Sequence, residues 1–254
     1  MKVRILGSGT SSGVPRIGND WGACDPTEPR NRRTRASLLV EHEGARVLVD
    51  TSPDLREQLL AADVAALDMV IWTHDHADHC HGIDDLRQVY HAIGGPVRGL
   101  ARADTLASLE QRFAYAFEGR GGYPPTIASE TLPDSLMVGD LAIAVTDQPH
   151  GAIHSAGLRF TAGDFSVGYA TDFNILTDDM RVLYQNLDVW ILDCLRVRPH
   201  PTHPDLATAL EWIAQLAPKR AIFIHMDQSM DYRTLCATLP AGVEPGYDGL
   251  EVVP

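Results

Sequence analysis

An α/β fold, with sheets covered by helices, is the class this sequence predicts. Three observations carry it. Short runs rich in Val, Ile and Phe recur along the 254 residues and read as buried strands. Helical patterns lie between several of them, an alternation that implies sheets with helices on their faces. Most of the strand-like runs end in an acid or a histidine, and polar groups at the ends of buried strands converge on one rim, where open α/β architectures bind ligands.

The runs follow in order. RVLVD leads into Asp50, MVIWTH into His74, LAIAVTDQPH into His150, FSVGYATD into Asp172, VWILD into Asp193 and RAIFIH into His225. Helical spacing covers about 53–63, 83–93, 103–117, 178–187 and 205–216. The last is the best formed, with Pro218 as its stop. The strand-then-ligand pattern occurs in both halves of the chain, which suggests two similar halves sharing one site. The stretch 118–135, EGRGGYPPTIASETLPDS, is rich in Gly and Pro and reads as an exposed loop or lid, with Tyr123 available to stack on a base or sugar. A single domain over 1–254 is expected.

Composition narrows the function. The formal charge of −13 argues against a general nucleic-acid binder, despite four arginines within Arg30–Arg35. Most of that stretch reads as solvated, with Arg33 the candidate phosphate contact. No stretch of about 18 apolar residues suggests a membrane span, and the N-terminus does not resemble a signal peptide. The four cysteines, Cys24, Cys80, Cys194 and Cys236, form no CxxC pair, so free thiols in a reducing cytoplasm are expected. GTSSG (9–13) matches a nucleophile elbow, but Pro15, Gly18, Asn19 and Asp20 follow where a helix is needed. The same stretch has Ser12 where a dinucleotide fingerprint has its third glycine. It reads as a turn that can line the site, with Ser11 toward the substrate.

THDHADHC (73–80) is the densest cluster of metal- or proton-binding groups. His74 and His76 are two apart after an apolar strand, so both imidazoles can reach one ion, and Asp78 and His79 can face a second. Burying such groups unpartnered would cost roughly 1–3 kcal/mol each, and a metal satisfies them together.

His74-x-His76-x-Asp78-His79, followed in order by His150, Asp172 and His225 and preceded by Asp50, resembles the metallo-β-lactamase superfamily over essentially the whole chain. The resemblance implies a four-layer αββα sandwich with two divalent ions, Zn or Mn, at the sheet edge. It places one ion on His74, His76, His150 and Asp172, and the other on Asp78, His79, Asp172 and His225, with Asp172 bridging. Asp50 would orient ligands from behind. GSGTSSGVP (7–15), ACDPTEPRNRRTRAS (23–37) and THPDLATAL (202–210) are similar to the PhnP group, phosphodiesterases of cyclic phosphates related to tRNase Z. That likeness makes His203, at the opening of the best helix, an assistant at the leaving group, with Asp78 as the other catalytic group and His200 close enough to touch substrate. It also implies a separate structural zinc, but only Cys24 of its cysteines is present and position 228 is Gln, so that zinc is expected to be absent.

The expected function is hydrolysis of a small cyclic phosphate or nucleotide-type phosphodiester, by a hydroxide activated between two ions. Other hydrolases on such a site remain alternatives: a tRNA-processing endonuclease, a thioesterase or a lactonase. So does a nucleotide-binding protein with little turnover. No long inserted arm suits large nucleic acid, a flavo-di-iron enzyme would have Glu among its ligands where position 76 is His, and a homodimer is compatible with the sequence.

Overall fold

The structure, a computed structural model, describes residues 1–254. Two seven-stranded sheets face each other. The first has the order β14 (Glu251–Val252), β1 (Lys2–Gly7), β2 (Ser37–His42), β3 (Ala45–Val49), β4 (Met69–Ile71), β5 (Val97–Ala101), β6 (Ile127–Thr131). The second has the order β13 (Val243–Pro245), β12 (Arg220–Ile224), β11 (Val189–Asp193), β10 (Phe165–Ala170), β9 (Ile153–Ala162), β8 (Leu141–His150), β7 (Ser135–Val138).

Central strands read as unbroken apolar runs because both of their faces are buried. Successive side chains point to opposite faces. Val47 and Val49 therefore enter the layer between the sheets while Leu48 points outward; Ile191 enters it while Trp190 and Leu192 point outward. Outside the first sheet lie α1 (Leu55–Ala62), α3 (Leu86–Ile93), α4 (Ala103–Arg112) and α5 (Ala114–Glu118), whose Leu55, Leu86, Leu109 and Ala116 join Leu48 and Trp72. The short α2 (Ala77–Cys80) carries part of the ligand motif. Outside the second sheet, α6 (Asp178–Tyr184), α7 (Leu206–Leu216) and α8 (Tyr232–Thr238) bury Met180, Trp212 and Leu235 against Trp190 and Phe223. The layers are thus αββα.

Three features differ from the sequence reading. The expected loop 118–135 contains all of β6 and the first residue of β7. Their burial alternates and is half exposed, which is how edge strands read. The helix expected over 103–117 is broken at Phe113, with φ −121°. Helix α7 starts at Leu206 behind the cap Asp205, whose side chain accepts from the Thr208 amide, so His203 stands in the preceding loop rather than opening the helix.

One carboxylate joins the loop before β14 to the residues just after β1 and just before β2. Asp248 accepts from the amides of Ser8 and Thr34 at 2.9 and 2.7 Å and from their hydroxyls at 2.8 and 2.7 Å. Removing it orphans four donors, so Asp248→Ala should cost on the order of 3 kcal/mol and lower Tm by roughly 5–10 °C. A thermal melt unchanged from wild type would contradict this.

Candidate metal centre

Parallel pairing delivers the polar groups to one edge. β3 and β4 run parallel, as do β10, β11 and β12, so each set ends on the same side. Asp50 follows β3, His74 follows β4, Asp172 follows β10 and His225 follows β12, while His150 ends β8 and Asp193 ends β11. Asp50, Asp172 and His225 all have left-handed backbones, φ 63°, 52° and 58°. Non-glycine residues rarely adopt that region, and such conformations cluster at functional sites. Here each turns a side chain out of a strand end and into the space between the sheets.

Two sets of donor atoms meet there. One comprises His74, His76, His150 and Asp172, the other Asp78, His79 and His225, and within each set the atoms lie within 4.8 Å of one another. Asp172 faces both. Its Oδ1 is 3.8 Å from His74 Nε2 and 3.6 Å from His150 Nε2; its Oδ2 is 3.1 Å from His79 Nε2 and 3.5 Å from His225 Nε2. Burial raises the Asp172 carboxyl, but the surrounding His225, His79 and His74 rings outweigh it and hold it well below the usual carboxylate range. Burial conversely drives His74 well below the ordinary histidine value.

The outer nitrogens are tethered. His79 Nδ1 donates to Asp50 Oδ2 at 2.8 Å, and His150 Nδ1 donates to the Thr202 carbonyl at 3.0 Å. His74 Nδ1 lies 3.0 Å from the Thr73 hydroxyl, which itself donates to Asp50. The inner Nε2 atoms of His74 and His79 are buried without a hydrogen-bond partner. Imidazoles held by Nδ1 and offering a bare, buried Nε2 fit a metal, because a bound cation satisfies atoms that otherwise carry a desolvation cost.

Asp193 is the site residue that sequence reasoning did not assign, although the strand VWILD was seen to end in it. It is fully buried. Its Oδ2 accepts from His203 Nδ1 at 2.7 Å and from the Asp172 amide at 3.2 Å, and its Oδ1 lies 3.8 Å from His225 Nδ1. One carboxylate therefore aligns His203 and the Asp172 backbone by hydrogen bonds and lies beside His225. The His203 ring sits 5.0 Å from the His225 ring, nearly parallel to it, and 4.9 Å from the His150 ring. His200 is 5.0 Å further out, ring to ring.

The glycine turn adjoins this edge: the Thr10 amide donates to the Met226 carbonyl, one residue past His225, and Ser11 is exposed. Arg33 is a correction. It is 2 % exposed, and its guanidinium donates to the Met230 and Asp227 carbonyls at 2.6 and 3.2 Å, beside Cys24 Sγ at 3.8 Å. A buried cation whose two terminal nitrogens donate to buried carbonyls ties the 23–35 segment to the 226–231 segment and is not offered to a phosphate. Cys80 and His81 serve as bracing: Cys80 Sγ donates to the Asp75 carbonyl and His81 pairs with Arg112. His154 is exposed on β9. Tyr123 lies against Arg87, away from the cluster.

Residues 45–226 match the family described as Beta-lactamase superfamily domain. An octanoyltransferase of Porphyromonas gingivalis is 31% identical over 100% of this chain, which spans 51% of that protein, about half its length. A diphosphatase from the PhnP family superposes with a TM-score of 0.90 at 33% identity, covering 99% of this chain and 96% of that one. Zn(2+)-bound PqqB from Methylobacterium extorquens superposes with a TM-score of 0.81 at 19% identity, covering 100% of both chains, a likeness of fold.

Proposed function

This chain belongs to the metallo-β-lactamase superfamily, and from that premise we propose that it is a metal-dependent phosphodiesterase acting on a small cyclic phosphate or nucleotide-type phosphodiester. The observation that carries the phosphorus chemistry is the likeness, at 33% identity and TM-score 0.90, to a PhnP-family diphosphatase. The octanoyltransferase name describes a protein of which this chain matches about half.

His74, His76, His150 and Asp172 would hold one divalent ion, and Asp78, His79, His225 and Asp172 the other. The imidazole-rich sets suit Zn²⁺, and the carboxylates admit Mn²⁺. Such a pair supplies an activated water and neutralises charge on phosphate oxygens. The chain supplies the rest. Asp50 and Asp193 fix the histidine rings from behind. The buried hydroxyls beside the cluster are committed to protein acceptors: Thr73 to Asp50, Thr171 to Asp172, Ser155 to the Thr171 and Asp172 carbonyls. None is left as a nucleophile, which favours direct attack by water over a covalent intermediate. His203, its Nδ1 bound to Asp193, has its other nitrogen available to hydrogen-bond or protonate the departing oxygen. Ser11, exposed on the glycine turn, and His200, beside His203, would meet the substrate.

The test is hydrolysis of bis(p-nitrophenyl) phosphate beside a thioester and a lactone, on protein of measured metal content. Diester turnover that tracks about two ions per chain is the expected result. Two bound ions with thioester or lactone turnover and none of the diester would transfer the assignment to another ester class, and two ions with no turnover would make this a binding protein.

A further inference from the structure

A second concave site lies away from the metal cluster. A cavity of about 370 Å³ opens between the start of α3 and α5 with the turn that follows it. None of its lining residues belongs to the metal cluster. Tyr90, Tyr115 and Tyr123 give it three aromatic walls, and Arg87 and Arg120 give it two guanidinium groups. Neither guanidinium forms an ion pair, although acids outnumber Lys and Arg in this chain by 34 to 21. Asp84, the one carboxylate in the lining, faces the Tyr115 hydroxyl; burial and that carboxylate push the phenol up to about 12, so it stays protonated.

The mouth is built. Arg120 and Tyr123 exchange backbone hydrogen bonds of 3.1 and 3.0 Å across Gly121 and Gly122, whose φ of 59° and 88° are those of a type I′ turn, which a glycine pair adopts at little cost. The turn sets the Arg120 and Tyr123 side chains side by side. The Arg87 guanidinium covers one face of the Tyr123 ring at 5.1 Å from its centroid, yet the residue is still 68% exposed. An exposed ring, braced behind by a cation, is a platform for a second planar group.

We propose that this cavity binds a mononucleotide: a planar base stacked among the tyrosines, with its phosphate held by Arg87 and Arg120. Stacking on tyrosine suits any base, and guanidinium donors match phosphate geometry. A cavity of about 370 Å³ is of the size one nucleoside fills. The proposal is independent of what the metal site hydrolyses.

The probe is AMP, titrated calorimetrically into metal-loaded protein, with adenosine and inorganic phosphate titrated separately. Saturable AMP binding is expected, tighter than either part alone. Tyr123→Ala and the double substitution Arg87→Ala/Arg120→Ala should each weaken it at least tenfold, while kcat/KM for whichever ester the metal site turns over stays at the wild-type value and thermal melts confirm folding. These residues are exposed, so the variants should fold. Affinity that survives both substitutions would place AMP at the metal site and overturn the proposal. So would no saturation up to the millimolar range.

Discussion

Asp172→Ala should hold neither ion and hydrolyse no ester at a measurable rate. Both donor sets close through this one side chain, Oδ1 toward His74 and His150 and Oδ2 toward His79 and His225. Loss of a residue that only orients ligands typically weakens metal binding about 10–100-fold, so loss of the residue common to both sets should exceed that. Alanine is also a poor occupant of φ 52°, where Asp and Asn are better tolerated. Asp172→Asn is therefore the cleaner partner variant: it keeps the shape and the turn and removes the charge. Metal content after dialysis, read by mass spectrometry beside diester turnover, decides the matter. Two retained ions and wild-type turnover in either variant would refute the bridging role.

The second large effect is expected at His203. His203→Ala should keep both ions and slow hydrolysis by roughly 10²–10⁴-fold, the usual contribution of a positioned general acid. The ring is stacked against His225 and bound to Asp193, with a side chain 11% exposed, so it borders the cluster and still reaches the opening. Its position also makes the outcome diagnostic. His203 lies within reach of Asp172 and His225 as a third conceivable donor. Loss of an ion together with activity would make it a ligand, and an unchanged rate would remove it from the chemistry. The rate is best taken with two substrates, since the effect should shrink as the leaving group becomes more acidic and needs less help departing.

Much of the cluster was legible because strands that end in ligands keep their order along the chain. His74, His76, Asp78 and His79 sit within six residues, and Asp50, Asp172 and His225 each follow a short apolar run that reads as a buried strand. Asp193 was legible as a strand end and not as an organiser. Its role depends on β11 lying between β10 and β12, an adjacency that parallel pairing creates and local sequence does not reveal. Arg33 was misread for the opposite reason. Four arginines in six residues look like a basic surface, and only the fold shows that this one points inward to the carbonyls of 227 and 230. The edge strands β6 and β7 resembled loop because half of their residues face water, and α8, a short helix with few apolar positions, gave too weak a period to stand out.

Each donor set draws on both sheets. His74, His76, Asp78 and His79 come off β4, whereas His150, Asp172 and His225 come off β8, β10 and β12. Between the sheets the core contacts are apolar, and beside the cluster a few backbone hydrogen bonds, such as the Ala156 amide to the Thr73 carbonyl at 2.8 Å, cross from one half to the other. Ions held across this seam would act as rivets. Whatever binds the assembled state alone adds its binding free energy to that state, so occupancy would stabilise the join between the two halves as well as create the reactivity there. Starving the protein of metal would then cost it thermal stability together with turnover, and the loss would fall first on the edge where the two halves meet.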